Sequence, residues 1–187
     1  MLDYGAKFDS GYLYHDFLAK YGTDEQRRRW EAVHEKVDLS PTQEELLGGF
    51  KREMKVLCLA GAWCGDCVNQ CPIFDHFAIS NPRIKVRYFD RDANPELGQA
   101  LSICGAARVP VVLFLSEDNH QVGWYGDRTL AKYRKMAADE FGPACPTGLF
   151  PEEHTLLGGV TQDWLNEFER IQLILRTSAR LRKLHGD

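Results

Sequence analysis

Along the first fifty residues, charged and apolar positions follow one another with a helical period. "TDEQRRRWEAVHEKV" opens on a capping-box pattern, Thr23 with Gln26, and then spaces Trp30, Val33 and Val37 at helical intervals. "SPTQEELLGGF" repeats the signal. Ser40 is placed to cap, Pro41 takes the first helical position and Gln43 completes the box, leaving Leu46, Leu47 and Phe50 to face a core. At "MKVLCLAGA" the period changes to a short unbroken apolar run, which suits a strand buried on both faces, and the cysteine-bearing segment after it reads as a helix start. "IKVRYFD" is a second strand, and "NPELGQALSICG" a helix opened by Asn94 and Pro95 and closed by Gly105. "VVLFLSEDNHQVGWYG" reads as a hairpin turning at Asp118 and Asn119, and "DRTLAKYRKMAADEF" as a helix with Leu130, Tyr133, Met136 and Ala137 on one face.

After Phe141, "GPACPTGLFPEEHTLLGG" is rich in Gly and Pro and has no period, the mark of an irregular loop at the length where loops tend to be functional. The final helix is expected from about Thr161, with Trp164, Phe168, Ile171 and Leu175 in one stripe and a basic end, "RLRKLH", that complements its dipole. Strand, helix, strand, helix, hairpin, helix is an α/β order. It predicts a central mixed β-sheet flanked by helices, with a right-handed first crossover and extra N- and C-terminal helices.

Composition narrows the class. A chain of 187 residues, 44% apolar and 27% charged, fits a single domain over 1–187 with one sizeable core. The formal net charge of -4 supplies no basic field for nucleic acid or anionic lipid, so neither is expected as a partner. Arg27, Arg28 and Arg29 are flanked by Asp24, Glu25 and Glu31 and read as a solvated helix face. "MLDYGAKFDS" lacks the basic and apolar regions of a leader, and no apolar run reaches about 18 residues. A cytoplasmic location without membrane insertion is the resulting expectation. In such a compartment most of the six cysteines should be thiols, and any disulfide among them transient and catalytic.

Cys64 and Cys67 carry the chemistry. Two residues between cysteines at a strand-to-helix junction put both sulfurs in the first helical turn, with Cα atoms roughly 5 to 6 Å apart, inside the range a disulfide accepts. The unpaired N–H groups of the helix start favour a thiolate on Cys64, while Cys67, one turn in, should be more covered. That asymmetry makes Cys64 the attacking thiol and Cys67 the resolving one. Alternatives remain on the residues alone. The pair can be two small buried side chains, or Cys64, Cys67 and Cys71 can ligate a metal with Cys58 or Cys104 as a fourth. Against metal, Cys71 lies two turns along the helix from Cys64 and should point inward as a buried apolar residue. Cys58 and Cys104 read as core residues, Cys145 as an exposed cysteine in the long loop, and His76 and His120 as surface histidines without metal spacing.

"AWCGDC" after an apolar strand, "DANP" about 25 residues on, and "RVPVVLF" followed by "GWYG" together resemble the thioredoxin family over about residues 38–140. The resemblance implies a thioredoxin-like fold, with a helical N-terminal extension over 1–37 and a loop and C-terminal helix over 141–187. It implies that Pro110 is cis, that Val109 and Pro110 bind substrate chain beside the redox pair, that Trp63 precedes the nucleophile as a substrate platform, and that Pro72 kinks the active-site helix. Gly123 and Gly126 fall beside the groove. It further implies thiol–disulfide exchange on protein disulfides, electrons from a thioredoxin-reductase-like donor or a small thiol, and no organic cofactor or metal. Three positions depart from the family: Cys58 and Tyr88 stand where it buries an aspartate and a lysine, and Asp66 stands where thioredoxin has proline. Together with Trp63 and Gly65, Asp66 is expected to tune the couple. A carboxylate beside a thiolate should raise the Cys64 pKa and make the couple more reducing. The competing reading is a binding or adaptor module whose thiols turn over poorly, and the loop 142–159 is expected to lie near the couple and narrow its substrates.

Overall fold

The computed structural model describes residues 2–142 and 155–187. Four helices precede the first strand: α1 (Tyr4–Asp9), α2 (Tyr14–Tyr21), α3 (Asp24–His34) and α4 (Pro41–Gly48). Asp3 Oδ1 accepts from the Ala6 N–H at 3.0 Å to start α1. Both capping boxes form, Thr23 with Gln26 on α3 and Ser40 with Gln43 on α4. Because α3 ends at His34, Val37 reaches the core from the chain beyond the helix. Trp30 ties α3 to the rest: it is fully buried, its ring centroid 5.8 Å from those of Tyr14 and Phe17 on α2.

The sheet holds β1 (Met54–Ala60), β2 (Ile84–Asp90), β3 (Val111–Ser116) and β4 (Gln121–Gly126) in the order β2-β1-β3-β4. β1 and β2 are parallel and joined through α5 (Gly65–Ser80), whereas β3 is antiparallel to both β1 and β4. β1 and β3 are central and covered on both faces, which is why they read as unbroken apolar runs. The outer edge of β2 is met by the N-terminal segment: the Tyr12 N–H donates to the Tyr88 carbonyl at 3.0 Å and the Tyr88 N–H to the Tyr12 carbonyl at 2.8 Å. The remaining helices are α6 (Pro95–Ala100), α7 (Leu130–Phe141), α8 (Leu156–Thr177) and α9 (Ala179–His185).

Strand register puts Cys58 opposite Tyr88 on one face of the sheet. Helices α5 and α8 pack on that face. The Tyr88 hydroxyl donates to the Cys71 carbonyl at 3.0 Å, and Phe168 of α8 lies 5.1 Å in ring centroid from both Phe77 of α5 and Phe114 of β3. A mixed four-stranded sheet flanked by helices, with extra helices at both termini, is a thioredoxin-like fold.

Several sequence expectations are corrected. α6 closes at Ala100, not Gly105, and the chain then turns through positive φ at Cys104 (51°) and Gly105 (74°). Cys104 is therefore an exposed turn residue and not part of the core. α8 starts at Leu156, five residues before Thr161, because Thr155 Oγ1 accepts from the Gly158 N–H at 3.1 Å and caps a first turn that contains two glycines. The basic end is a separate helix, since Ser178 breaks the run with extended geometry and its hydroxyl accepts from the Leu181 N–H to cap α9. On α7 the face carrying Leu130 and Tyr133 stays exposed. Cys145 and residues 143–154 of the long loop lie outside the described residues. Its last five positions belong to the start of α8 and its cap, and Leu156 and Leu157 line a groove with Asp66, Asn69 and Gln70.

Candidate active site

The end of β1 delivers the chain through Gly61, Ala62 and Trp63 to Cys64, which is the N-cap residue of α5. Cys64 is half-buried, and Cys67, one turn inside the helix, is fully buried. Pro72 sits inside α5, at the position where the family's helix is kinked. The Val109–Pro110 bond is cis, and the Cys64 thiol donates to the Val109 carbonyl at 3.6 Å. The fold thus brings together four positions the sequence singled out, Cys64, Cys67, Val109 and Pro110. The approach needs glycine nearby: a Cβ on Gly126 would stand 2.5 Å from the Pro110 carbonyl oxygen and 3.0 Å from Val111 Cα, both backbone atoms. Trp63 is 44% exposed and stacks under the Arg91 guanidinium, 4.5 Å from its ring centroid. A Cβ on Gly61 would meet the same indole at 2.7 Å.

The two thiols titrate as one pair. Burial works against a charge on Cys67, yet the neighbouring Cys64 and Cys71 thiols and the hydrogen bond from the Gly61 N–H, 3.4 Å away, outweigh it and bring Cys67 below the ordinary thiol range. The neighbouring Cys67 thiol, together with burial, holds the Cys64 proton more tightly than usual. The sequence placed the lowered proton affinity on Cys64. In the folded site it belongs to the pair, whose first proton leaves easily and whose second is held tightly.

Asp66 is not the bare carboxylate its position suggests. Arg128, at the start of the segment after β4, donates from Nε to Asp66 Oδ2 at 2.8 Å and places Nη2 at 2.7 Å from the same oxygen. Arg128 is itself steadied by Asp127, whose Oδ2 also pairs with Arg108 at 3.1 Å. Burial opposes the Asp127 charge, but Tyr133, Arg108 and Arg128 hold it below the usual carboxylate range. Two opposite results are expected from this arrangement. Asp66→Asn removes a negative charge and leaves Arg128 to Asp127 alone, so the first pKa of the thiol pair falls; Arg128→Ala frees the Asp66 charge, so it rises, each by less than about 1 unit. Iodoacetamide alkylation rates across pH measure both, and equal shifts of one sign in the two variants would refute the pairing's role.

Sequence reasoning missed three supports of the site. Arg128 is one. Trp30 is another, its Nε1 donating to the Ala62 carbonyl at 2.9 Å two residues before Cys64. The third is a relay from α8: Trp164 Nε1 donates to Gln70 Oε1 at 2.8 Å, and Gln70 Nε2 donates to the Asp127 carbonyl at 3.0 Å. Only Trp30 and Trp164 gave a signal, as apolar members of amphipathic stripes. His76 is not a surface residue as expected. It is half-buried, with Nε2 3.0 Å from the His34 carbonyl and its ring 4.2 Å from the His34 ring, and burial lowers its pKa. Among the described residues no three His, Cys, Asp or Glu side chains are grouped to hold a metal.

A sequence model described as thioredoxin matches residues 13–140, and the chain belongs to the thioredoxin family. Its match takes in α2, α3 and α4. No curated protein matches the chain. Among solved structures it is similar to a protein of unknown function from Pseudomonas aeruginosa, at 20% identity and a TM-score of 0.71, covering 91% of this chain and 97% of that one. It is also similar to an HIV epitope-scaffold, at 20% identity and a TM-score of 0.70, covering 95% of this chain and 100% of that one. At this identity the similarity is one of fold, and it reaches into both terminal extensions.

Proposed function

We propose that the protein catalyses thiol–disulfide exchange on protein disulfides through a Cys64/Cys67 dithiol–disulfide couple, with residues 1–187 acting as one domain. The observation that carries the proposal is the Cys64/Cys67 thiol pair in the first turn of α5, its outer sulfur 3.6 Å from the Val109 carbonyl beside cis Pro110. Attack requires the anion on the sulfur that substrate can reach. Cys64 is that sulfur, and passing its proton to the neighbouring Cys67 supplies the nucleophile. The Cys64 thiolate attacks one sulfur of a substrate disulfide and expels the other as a thiolate. Cys67 then gives up its proton, attacks Cys64 Sγ and releases the second substrate sulfur, leaving Cys64–Cys67 oxidised. A partner reductase or a small thiol returns the couple to the dithiol. Trp63 offers an exposed aromatic face to the substrate chain, Val109 and Pro110 offer backbone, and the space beside Gly65, next to Cys64, is open, with nothing within 4 Å of where a Cβ would stand.

The adaptor reading rests on one observation: Cys58 and Tyr88, paired in register, occupy the buried positions where the family has an aspartate and a lysine. Catalytic amounts of the protein added to insulin and dithiothreitol separate the two readings. Faster precipitation of the insulin B chain supports exchange, and an unchanged rate supports the adaptor. Among the described residues no helix is long and apolar enough to cross a membrane.

A further inference from the structure

Two buried cysteines have no part in that scheme. Cys58 in the centre of β1 and Cys71 on α5 are both fully buried, and their sulfurs lie 3.8 Å apart. Cys71 lies one helical turn beyond Cys67 on α5, and Cys67 one turn beyond Cys64. The successive turns of α5 thus lead from the half-buried Cys64 through the buried Cys67 to Cys71, whose sulfur meets Cys58 in the middle of the sheet. Packing alone would be served by any small apolar side chain at either inner position.

We propose that Cys58 and Cys71 form a second, internal dithiol that takes over the disulfide from Cys64–Cys67 and so resets the outer couple for another substrate. The inference rests on the exchange chemistry above for the disulfide it receives. In the first step Cys71, as the thiolate, attacks Cys67 Sγ of the oxidised couple and expels Cys64 as a thiolate, which takes up the proton Cys71 gave. In the second, Cys58 attacks Cys71 Sγ and expels Cys67, which takes up the Cys58 proton. One disulfide is broken and one formed, and no electron or proton is exchanged with solvent. A disulfide needs its sulfurs about 2.05 Å apart, so the inner pair has to close from 3.8 Å by side-chain rotation. Neither inner sulfur is reachable from solvent, which leaves Cys67 as the route of delivery. Burial holds the protons on both inner thiols, so the transfer should form a slow second phase.

The test uses the full reduced chain in glutathione buffers of graded poise, quenched in acid at successive times, tagged with a maleimide and mapped by peptide mass. The wild type is expected to lose two thiols quickly, at Cys64 and Cys67, and then two more, at Cys58 and Cys71. With one equivalent of oxidant the disulfide should be found first at Cys64–Cys67 and later at Cys58–Cys71. Cys58→Ala should stop at two thiols lost, and Cys67→Ala should keep Cys58 and Cys71 free. Loss of only Cys64 and Cys67 in the wild type at every poise overturns the inner couple while leaving the exchange reading intact. Formation of Cys58–Cys71 at the wild-type rate in Cys67→Ala overturns the relay. Failure of Cys64–Cys67 itself to form overturns the exchange reading and the relay with it.

Discussion

Cys64→Ser is expected to reduce disulfide-exchange activity by roughly a thousandfold or more, the scale seen when a catalytic nucleophile is removed. A serine hydroxyl does not ionise near neutrality and cannot form the mixed disulfide, so neither step of the exchange survives. The substitution differs by one atom at a half-buried N-cap, and serine is itself a favourable cap, so stability should be nearly unchanged. Cys67→Ser gives a different outcome: the first attack persists and the protein accumulates as a covalent adduct with its substrate, visible on a non-reducing gel. Insulin reduction and adduct trapping check the pair together. Residual activity of Cys64→Ser above about a tenth of wild type would exclude Cys64 as the nucleophile.

Trp30→Ala is expected to cost about 3 to 5 kcal/mol, the range for truncating a fully buried large aromatic. The variant also leaves the Ala62 carbonyl without the indole donor that holds the segment entering the site. Urea unfolding of the two proteins measures the loss. Trp30→Phe separates the two contributions, since it keeps most of the packing and removes the hydrogen bond. A loss below about 1 kcal/mol for the alanine variant would mean that α3 is an appendage rather than part of the core.

Much of the site was legible because its signals are local. Cys64 and Cys67 are three residues apart at a change of period, and Val109 and Pro110 adjoin the apolar run of β3. The charge on Asp66 was misjudged for the opposite reason. Its partner Arg128 is 62 positions away, and nothing in "GDRTL" marks an arginine that returns to α5. The Trp30 bond to Ala62 spans 32 positions and was equally invisible, although the buried face of α3 was not. Apolar Leu101 and Ile103 extended the pattern of α6 past its true end, and only the positive φ of Cys104 and Gly105 shows why Cys104 faces solvent. At α8, Gly158 and Gly159 read as loop, whereas the Thr155 cap and the burial of Val160 and Thr161 carry the helix through them.

The most direct test of a working Cys64/Cys67 couple is its reduction potential, read by mass-tagging free thiols across a series of dithiol redox buffers and assigning them by peptide mapping. Exchange chemistry predicts a two-electron transition at Cys64 and Cys67 between about −270 mV, where thioredoxin lies, and about −120 mV, where strong oxidants lie. Thiols at Cys64 and Cys67 that stay free at every poise would contradict it.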